Sequence, residues 1–409
     1  MIYQKYINLK YKPTKNDLVC VFKITPAKGV SKKRAIGAVA AESSTGTWTS
    51  LLTMPEKRML KLGAKVFEIK GNYAKIAYPI ELFEVGNISQ LLSSIAGNIF
   101  GMKEIQSLRL EDIIFPKKYV SKFKGPELGL KDLRKYTGIK NKPLTGSIFK
   151  PKLGLTPKEQ AKNAYKIYSN GIVFTKDDEN LSSMQFNKFK ERVLKMLEIV
   201  DKIKDEYGRN VIYAPNITAP YQTMIKRAQF VKDHGGKCVM IDFLTVGWSA
   251  FKEFRNQNFK MFIHLHRASH ASFTRNKDHG ISMLVLSKLV RLIGCTTLHT
   301  GTIFGKMEGS KQEIIEIDKF LRSKWFGLKQ VMPVASGGLH PGLVPKLVNI
   351  LGNDLLINFG GGLWGHPMGA EAGAKAISQA VNATIKNISL KDYTKTHKEL
   401  RVAIDKWGN

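Results

Sequence analysis

SIFKPK (147–152), IVFTKDD (172–178), VIYAPNIT (211–218), CVMIDF (238–243), MFIHLHR (261–267), TTLHTG (296–301), MPVASGG (332–338) and LLINFGGG (355–362) are eight short apolar runs, each ending in polar residues or glycine. Amphipathic stretches lie between most of them, such as PKEQAKNAYKIYSNG (157–171), FKERVLKMLEIVDKI (189–203) and MIKRAQFVKDHGG (224–236). Eight β-then-α units in about 220 residues match the count and size of a (β/α)8, or TIM, barrel. A doubly wound open sheet is the competing architecture. It is disfavoured because no GxGxxG opens the first unit and because chemistry-bearing residues end nearly every strand.

Upstream the pattern changes. VCVFKITP (19–26) alternates like a strand, and 64–80 reads as two strands around Gly71-Asn72, a hairpin-type turn. SQLLSSIAGNIF (89–100) has helical periodicity. The expectation is a smaller N-terminal α+β (ferredoxin-like) domain over 1–125 and a catalytic barrel domain over 126–409, with the Lys-, Pro- and Gly-rich segment 115–145 as the linker.

Composition narrows the class. With 43% hydrophobic residues in 409, the chain can bury a large core. Cys20, Cys238 and Cys295 form no CxxC or zinc-type spacing, which suits a reducing cytoplasm. No run of 18 apolar residues predicts a transmembrane helix, and MIYQKYINLKYKP lacks a signal-peptide core. The net charge of +32 would attract polyanions. The lysines are dispersed and their densest runs short (Lys32-Lys33-Arg34, Lys117-Lys118), so a solvated lysine-rich surface is the better reading, with no specific nucleic-acid partner and no membrane.

Barrel enzymes build their sites where the strands end. Those ends hold Lys150 and Lys152; Lys176, Asp178 and Glu179; His264, His266 and Arg267; His299; Ser336-Gly337-Gly338; and Gly360-Gly361-Gly362. Residues i and i+2 of a strand share a face, so Lys150/Lys152, Lys176/Asp178 and His264/His266 are each expected as same-side pairs. Asp178 and Glu179 offer the oxygen donors that Mg²⁺ prefers. The glycine clusters let backbone N–H groups approach a phosphate. Arg267 and His299 could hold a second anion, and two phosphate sites around a metal imply a sugar bisphosphate. TGTIFGKMEG (300–309), with three glycines and Lys306, reads as a lid closing over an anion.

Five motifs in one order carry a resemblance: IFKPKLGL (148–155), FTKDDEN (174–180), HLHRASH (264–270), LHTGTIFGKMEG (298–309) and PVASGGLH (333–340). They resemble the large subunit of ribulose-1,5-bisphosphate carboxylase/oxygenase (RuBisCO). The likeness runs from AAESSTGTW (40–48) to FGGGLWGHPMG (359–369), and VMIDFLTVGWSAF (239–251) with the short C-terminus is similar to the archaeal-type, form III or form III-like, members.

The resemblance implies an Mg²⁺-dependent lyase that adds CO₂ or O₂ to ribulose 1,5-bisphosphate and yields 3-phosphoglycerate on carboxylation. By this match the neutral amine of Lys176 captures an activating CO₂ as a carbamate, which holds Mg²⁺ with Asp178 and Glu179 and takes the C3 proton. Lys150 returns a proton at C2, and Lys152 supports that region. His266 assists proton transfer at C3, His299 steadies charge near metal and phosphate, and Lys306 neutralises the new carboxylate. Gly337, Gly338, Gly360 and Gly361, with Thr47 and Trp48, bind one phosphate; Arg267 and His299 bind the other; Ser336 bonds a substrate hydroxyl. Glu42, Thr47, Trp48 and Asn98 would reach the barrel of a neighbouring subunit, so the unit is a homodimer or larger, with no small subunit expected. Archaeal-type members imply a place in AMP or nucleoside ribose salvage.

Two positions depart from the family pattern: Ile148 where threonine is usual, and Ser282 where histidine is usual behind the site. Ile148 keeps open an alternative, a RuBisCO-like enolase or isomerase acting on another phosphorylated keto-sugar without carboxylation. A non-enzymatic polyanion binder is the third reading, and the +32 charge is its only support.

Overall fold

A computed structural model of the chain describes residues 2–304 and 310–409. Among these the strands are, in chain order, β1 (Asp17–Pro26), β2 (Lys65–Lys70), β3 (Tyr73–Pro79), β4 (Ile105–Ile114), β5 (Leu144–Ile148), β6 (Phe174–Lys176), β7 (Ile212–Ala214), β8 (Cys238–Asp242), β9 (Phe262–His266), β10 (Gly280–Ile281), β11 (Thr297–His299), β12 (Met332–Ser336) and β13 (Leu356–Phe359). The chain divides into two compact units, residues 1–124 with 269–293, and residues 125–268 with 294–409.

The first unit is a sheet of order β10-β4-β1-β3-β2. β1 runs antiparallel to both β3 and β4, and β2 and β3 form the expected hairpin over Gly71, whose φ is +55°. With helices Lys32–Glu42 and Ile88–Ile95 the connectivity is β-α-β-β-α-β, the ferredoxin-like order. Segment 269–293 departs from the expectation that everything after 126 forms one unit. β10 extends the sheet beside β4, and buried Arg109 donates to the carbonyls of Thr274 and Asn276. Ser282 is committed here: its hydroxyl donates to the Glu111 carbonyl and caps the next helix by accepting from Val285 N–H.

The second unit is a parallel sheet of order β7-β6-β5-β13-β12-β11-β9-β8. It closes on itself. Met240 N–H donates to the Pro215 carbonyl at 2.8 Å, and Ile217 N–H donates to the Met240 carbonyl at 3.0 Å, joining β7 to β8. The open-sheet alternative is thereby excluded. Leu144, Phe174, Ile212, Met240, Val334 and Leu356 fill the interior as one apolar cluster. Leu130 and Leu133 belong to that cluster. They lie on the helix Leu130–Thr137, so residues 115–145 are not a plain linker: the i, i+3 leucines carry a buried helical face through a polar composition. Helices Val344–Leu351, Ala370–Ile385 and Lys398–Trp407 pack a second apolar cluster outside β12 and β13. The three cysteines are buried and free. No helix among the described residues is long and apolar enough to cross a membrane.

Candidate active site

Parallel pairing sets the register of the functional residues: Ile148 lies opposite Lys176, Asp242 opposite His266, and His299 opposite Val334. Lys176, the last residue of β6, is 1% exposed. Its Nζ donates to the Asp177 carbonyl at 2.9 Å and lies 3.4 Å from Glu179 Oε2 and 3.5 Å from Met240 Sδ. Lys150 Nζ pairs with Asp178 Oδ2 at 2.9 Å. Two lysines thus face two carboxylates at the ends of adjoining strands. Burial alone would raise the Glu179 carboxyl, but its neighbours, led by Lys176, with His266 and Lys150, hold it down to about 2.

The paired-lysine expectation fails in one respect. β5 ends at Ile148, so strand alternation does not reach Lys150 and Lys152. Lys150 turns onto Asp178, while Lys152 is exposed. Lys176 and Asp178 straddle the end of β6, and it is Glu179 that approaches the Lys176 amine.

Three histidines meet across β9 and β11. The rings of His264 and His266 each lie within 5 Å of the His299 ring, centre to centre, at 4.9 and 4.8 Å. A chain of contacts runs Thr297 Oγ1 to His264 Nδ1 (2.7 Å), His264 Nε2 to His299 Nε2 (2.9 Å) and His299 Nδ1 to Ser336 Oγ (2.8 Å). Burial, reinforced by neighbouring cations, lowers the pKa of both His264 and His299, so each is neutral and carries one N–H. Only one of the two facing Nε2 atoms can donate, so the proton positions along the chain are set together. His266 sits between two acids, Asp242 at 2.7 Å and Glu179 at 3.6 Å.

The glycine clusters close the ring of strand ends. Gly337 and Gly338 have φ of +110° and +77°, which favours residues without a Cβ. A Cβ on Gly360 would lie 3.5–3.6 Å from Ile148 and Lys150, so β13 ends beside the lysine that follows β5. Arg267 is buried after β9, and a Cβ on Gly301 would come within 2.6 Å of its guanidinium. Burial lowers the Arg267 guanidinium to about 10, still fully charged at neutral pH. Lys306 lies outside the described residues, as does the rest of 305–309. Glu42, Thr47, Trp48 and Asn98 belong to the first unit: Glu42 accepts from Tyr3 OH at 3.0 Å, Trp48 is 76% exposed, and Asn98 is exposed.

Sequence reasoning missed the frame behind the acids. Asp177 is fully buried and accepts four hydrogen bonds, from Gln160, Tyr213 OH, Arg192 Nε and the Asn216 backbone, at 2.8–3.0 Å. Asn216 donates onward to the Glu179 carbonyl at 3.0 Å. Asp177 points away from Asp178, and the alternation of KDDE was the available signal. His264 was visible as a strand-end residue, but its place in the imidazole chain was not.

Family models for the ribulose bisphosphate carboxylase large chain match almost the whole sequence, the N-terminal domain over 5–119 and the catalytic domain over 129–407. The chain belongs to the RuBisCO large-chain family. Among similar RuBisCO proteins, the ribulose bisphosphate carboxylase of Pyrococcus abyssi is 47% identical, covering 99% of this chain and 97% of that protein. That of Methanocaldococcus jannaschii is 46% identical, covering 98% and 99%. The octameric Pyrococcus horikoshii RuBisCO, solved with sulfate, superposes with a TM-score of 0.95 at 45% identity over 100% of this chain and 97% of that one. The dimeric RuBisCO of Hyperthermus butylicus gives 0.92 at 42% identity, over 100% of both chains.

RuBisCO chemistry calls for a divalent ion, and the donor set can be tested for it. Among the described residues no three His, Cys, Asp or Glu side chains gather as metal ligands. Asp178 and Glu179 supply hard oxygens suited to Mg²⁺, one donor short of a protein site. The Lys176 amine lies 3.4 Å from Glu179, where a carboxyl group added to it would supply the missing oxygens, so the residues fit the ion.

Proposed function

We propose that this chain is a ribulose-bisphosphate carboxylase that adds CO₂, with O₂ as a competing substrate, to ribulose 1,5-bisphosphate and releases 3-phosphoglycerate. The observation carrying the reading is the pairing of Lys176 with Glu179 and of Lys150 with Asp178 just after β6 and β5, in a chain matched by the family's models over 5–119 and 129–407. Lys176 would carry the activating carbamate, and with Asp178 and Glu179 it would hold Mg²⁺. Mg²⁺ held there would supply Lewis-acid stabilisation of charge developing on the substrate's oxygens.

The chain's own groups do the rest. Lys150, held by Asp178, keeps a proton for C2 after the C2–C3 bond breaks. His266 stands between Asp242 and Glu179 for transfers at C3. His299 is locked to Ser336 and His264, so it presents a fixed dipole to the developing charge. Arg267 takes one phosphate; Gly337, Gly338, Gly360 and Gly361 take the other, with Thr47 and Trp48 of a second chain. Lys306 meets the new carboxylate, and Lys152 contributes positive charge at the rim.

The working unit is a homodimer or larger, with Glu42 and Asn98 supplied across the interface. The exposed side chains of Trp48, Leu51 and Leu52, an unusual apolar run on a surface, support that reading. The route served is salvage of AMP-derived ribose in the cytoplasm. The test is purified protein preincubated with CO₂ and Mg²⁺, then given ribulose bisphosphate and labelled CO₂. Labelled 3-phosphoglycerate, abolished by Lys176→Ala, is expected; no label in product rejects the activity.

A further inference from the structure

β13 stops short of its neighbour β5. Its last residue, Phe359, pairs with Ser147, and the chain then turns through Gly360 into the one-turn helix Gly361–Trp364. β5 runs one residue further, to Ile148. Leu144 N–H donates to the Leu355 carbonyl on the β13 side, while the Thr145 carbonyl accepts from Val173 N–H on the β6 side. Main-chain groups alternate sides along a strand, so the Ile148 carbonyl faces β13 where that strand has already ended. Trp364 supplies the donor a longer strand would have offered. Its indole Nε1–H donates to the Ile148 carbonyl at 2.7 Å and lies 3.1 Å from Ser147 Oγ.

Further bonds close the circuit. Ser147 Oγ–H donates to the Phe359 carbonyl at 2.9 Å, and the N–H groups of Leu363 and Trp364 both donate to the Gly360 carbonyl, at 2.9 and 3.2 Å. The end of β5, the Gly360 turn and the indole are thus tied to one another. The Trp364 ring also packs on buried Phe149, centroids 5.7 Å apart, the residue just before Lys150. Lys150 itself lies between two anchors. Its Nζ pairs with Asp178 at 2.9 Å, and its Cε would be 3.6 Å from a Cβ on Gly360.

We propose that Trp364 is a positioning residue: by clamping the end of β5 to the turn after β13, its indole N–H sets the spacing between Lys150 and the phosphate subsite at Gly360 and Gly361. The role deepens the proposed function, and rests on its reading of Lys150 as the C2 acid and of the glycines as phosphate ligands. Trp364 acts through Ile148 and Gly360. A displaced Lys150 has a chemical signature. After the C2–C3 bond breaks, the fragment bearing C1 and C2 holds an electron pair on C2 that the Lys150 proton should meet. Left unprotonated, that pair forms a C1=C2 double bond as the C1–O bond breaks and inorganic phosphate leaves. The resulting enol takes a proton from water at C1, gives up its hydroxyl proton and becomes pyruvate.

The experiment compares wild type with Trp364→Phe, which keeps a ring against Phe149 and deletes the N–H. Val231→Ala, a core variant on the helix Tyr221–Asp233 that follows β7, is the control for lost stability alone. Trace acetylation read by peptide mass spectrometry reports on Lys150 without turnover. Labelling of Lys150 relative to exposed Lys158 should rise several-fold in Trp364→Phe and stay at the wild-type value in Val231→Ala. In the carboxylase assay, kcat should fall several-fold in Trp364→Phe while the ratio of pyruvate to 3-phosphoglycerate rises several-fold. A ring that only fills space would move neither ratio. Should Trp364→Phe fail to fold, Ser147→Ala cuts the same circuit at its bond to Phe359 and carries the same two predictions. Unchanged Lys150 labelling in a folded variant overturns the proposal, and so does an equal rise in Val231→Ala. If wild type forms no 3-phosphoglycerate while Lys150 labelling responds to Trp364→Phe, the clamp stands and the carboxylase reading fails.

Discussion

At the scale of single residues, the histidine chain makes the most exposed claim. His264 touches no expected substrate position, yet it fixes the tautomer of His299 through a 2.9 Å contact. Replacing it with glutamine leaves a Thr297 hydroxyl and a His299 nitrogen poorly partnered in a dry site. A stability loss of about 1–3 kcal/mol is expected, along with roughly tenfold lower kcat, as for other supporting partners of reacting groups. KM should be little changed. Steady-state kinetics with a denaturant melt check this, and an unaltered kcat would remove His264 from the account. Strand alternation brought His264 and His266 to light in the sequence. It misled at Lys152, because a five-residue strand stops two residues before Lys150.

At the scale of elements, the loop after β6 is held by a buried ion pair. Arg192 and Asp177 are both without solvent exposure and 3.0 Å apart. Such a pair need not add net stability, but breaking it strands a charge, so Asp177→Asn should cost about 3–5 kcal/mol. Thermal unfolding reads that loss, and Mg²⁺-dependent activation should weaken in step, because Asn216 ties the same carboxylate to the Glu179 backbone. The helix Lys311–Arg322 makes a pH prediction through buried Asp318. Burial raises its folded carboxyl to about 7, while an unfolded one titrates near the ordinary 3.8. Between those values the folded chain keeps a proton that the unfolded chain has released. Stability therefore drops as pH rises from about 4 to 7, then levels. The Tm advantage of Asp318→Asn over wild type should grow across that window and stay constant above it. An advantage independent of pH would contradict the assignment. Neither device was legible beforehand, since burial and missing partners are facts of packing. The helix at Leu130–Thr137 was hidden for a related reason: its polar composition masked two core leucines.

At the scale of the whole molecule, the eight strands of the barrel, and in the first unit β1 and the β2–β3 hairpin, could be read from periodicity and turn residues, because each strand is short and its end abrupt. The transfer of 269–293 to the first unit could not, since β10 is only two residues long and pairs with a strand 171 positions earlier. The proposed sharing of sites between subunits predicts complementation. Glu42→Gln and Lys176→Ala should each be inactive, and mixing them under subunit exchange should restore about a quarter of the wild-type sites, as random two-fold pairing requires. Labelled-CO₂ turnover of the mixture reads this, and no recovery despite proven exchange would place Glu42 in its own subunit's site. The most direct test of the central claim is carbon-13 NMR of the protein equilibrated with labelled CO₂ and Mg²⁺. A carbamate resonance that disappears in Lys176→Ala, and depends on Asp178 and Glu179 for its Mg²⁺ response, is the predicted result; a wild-type spectrum with no such resonance would contradict it.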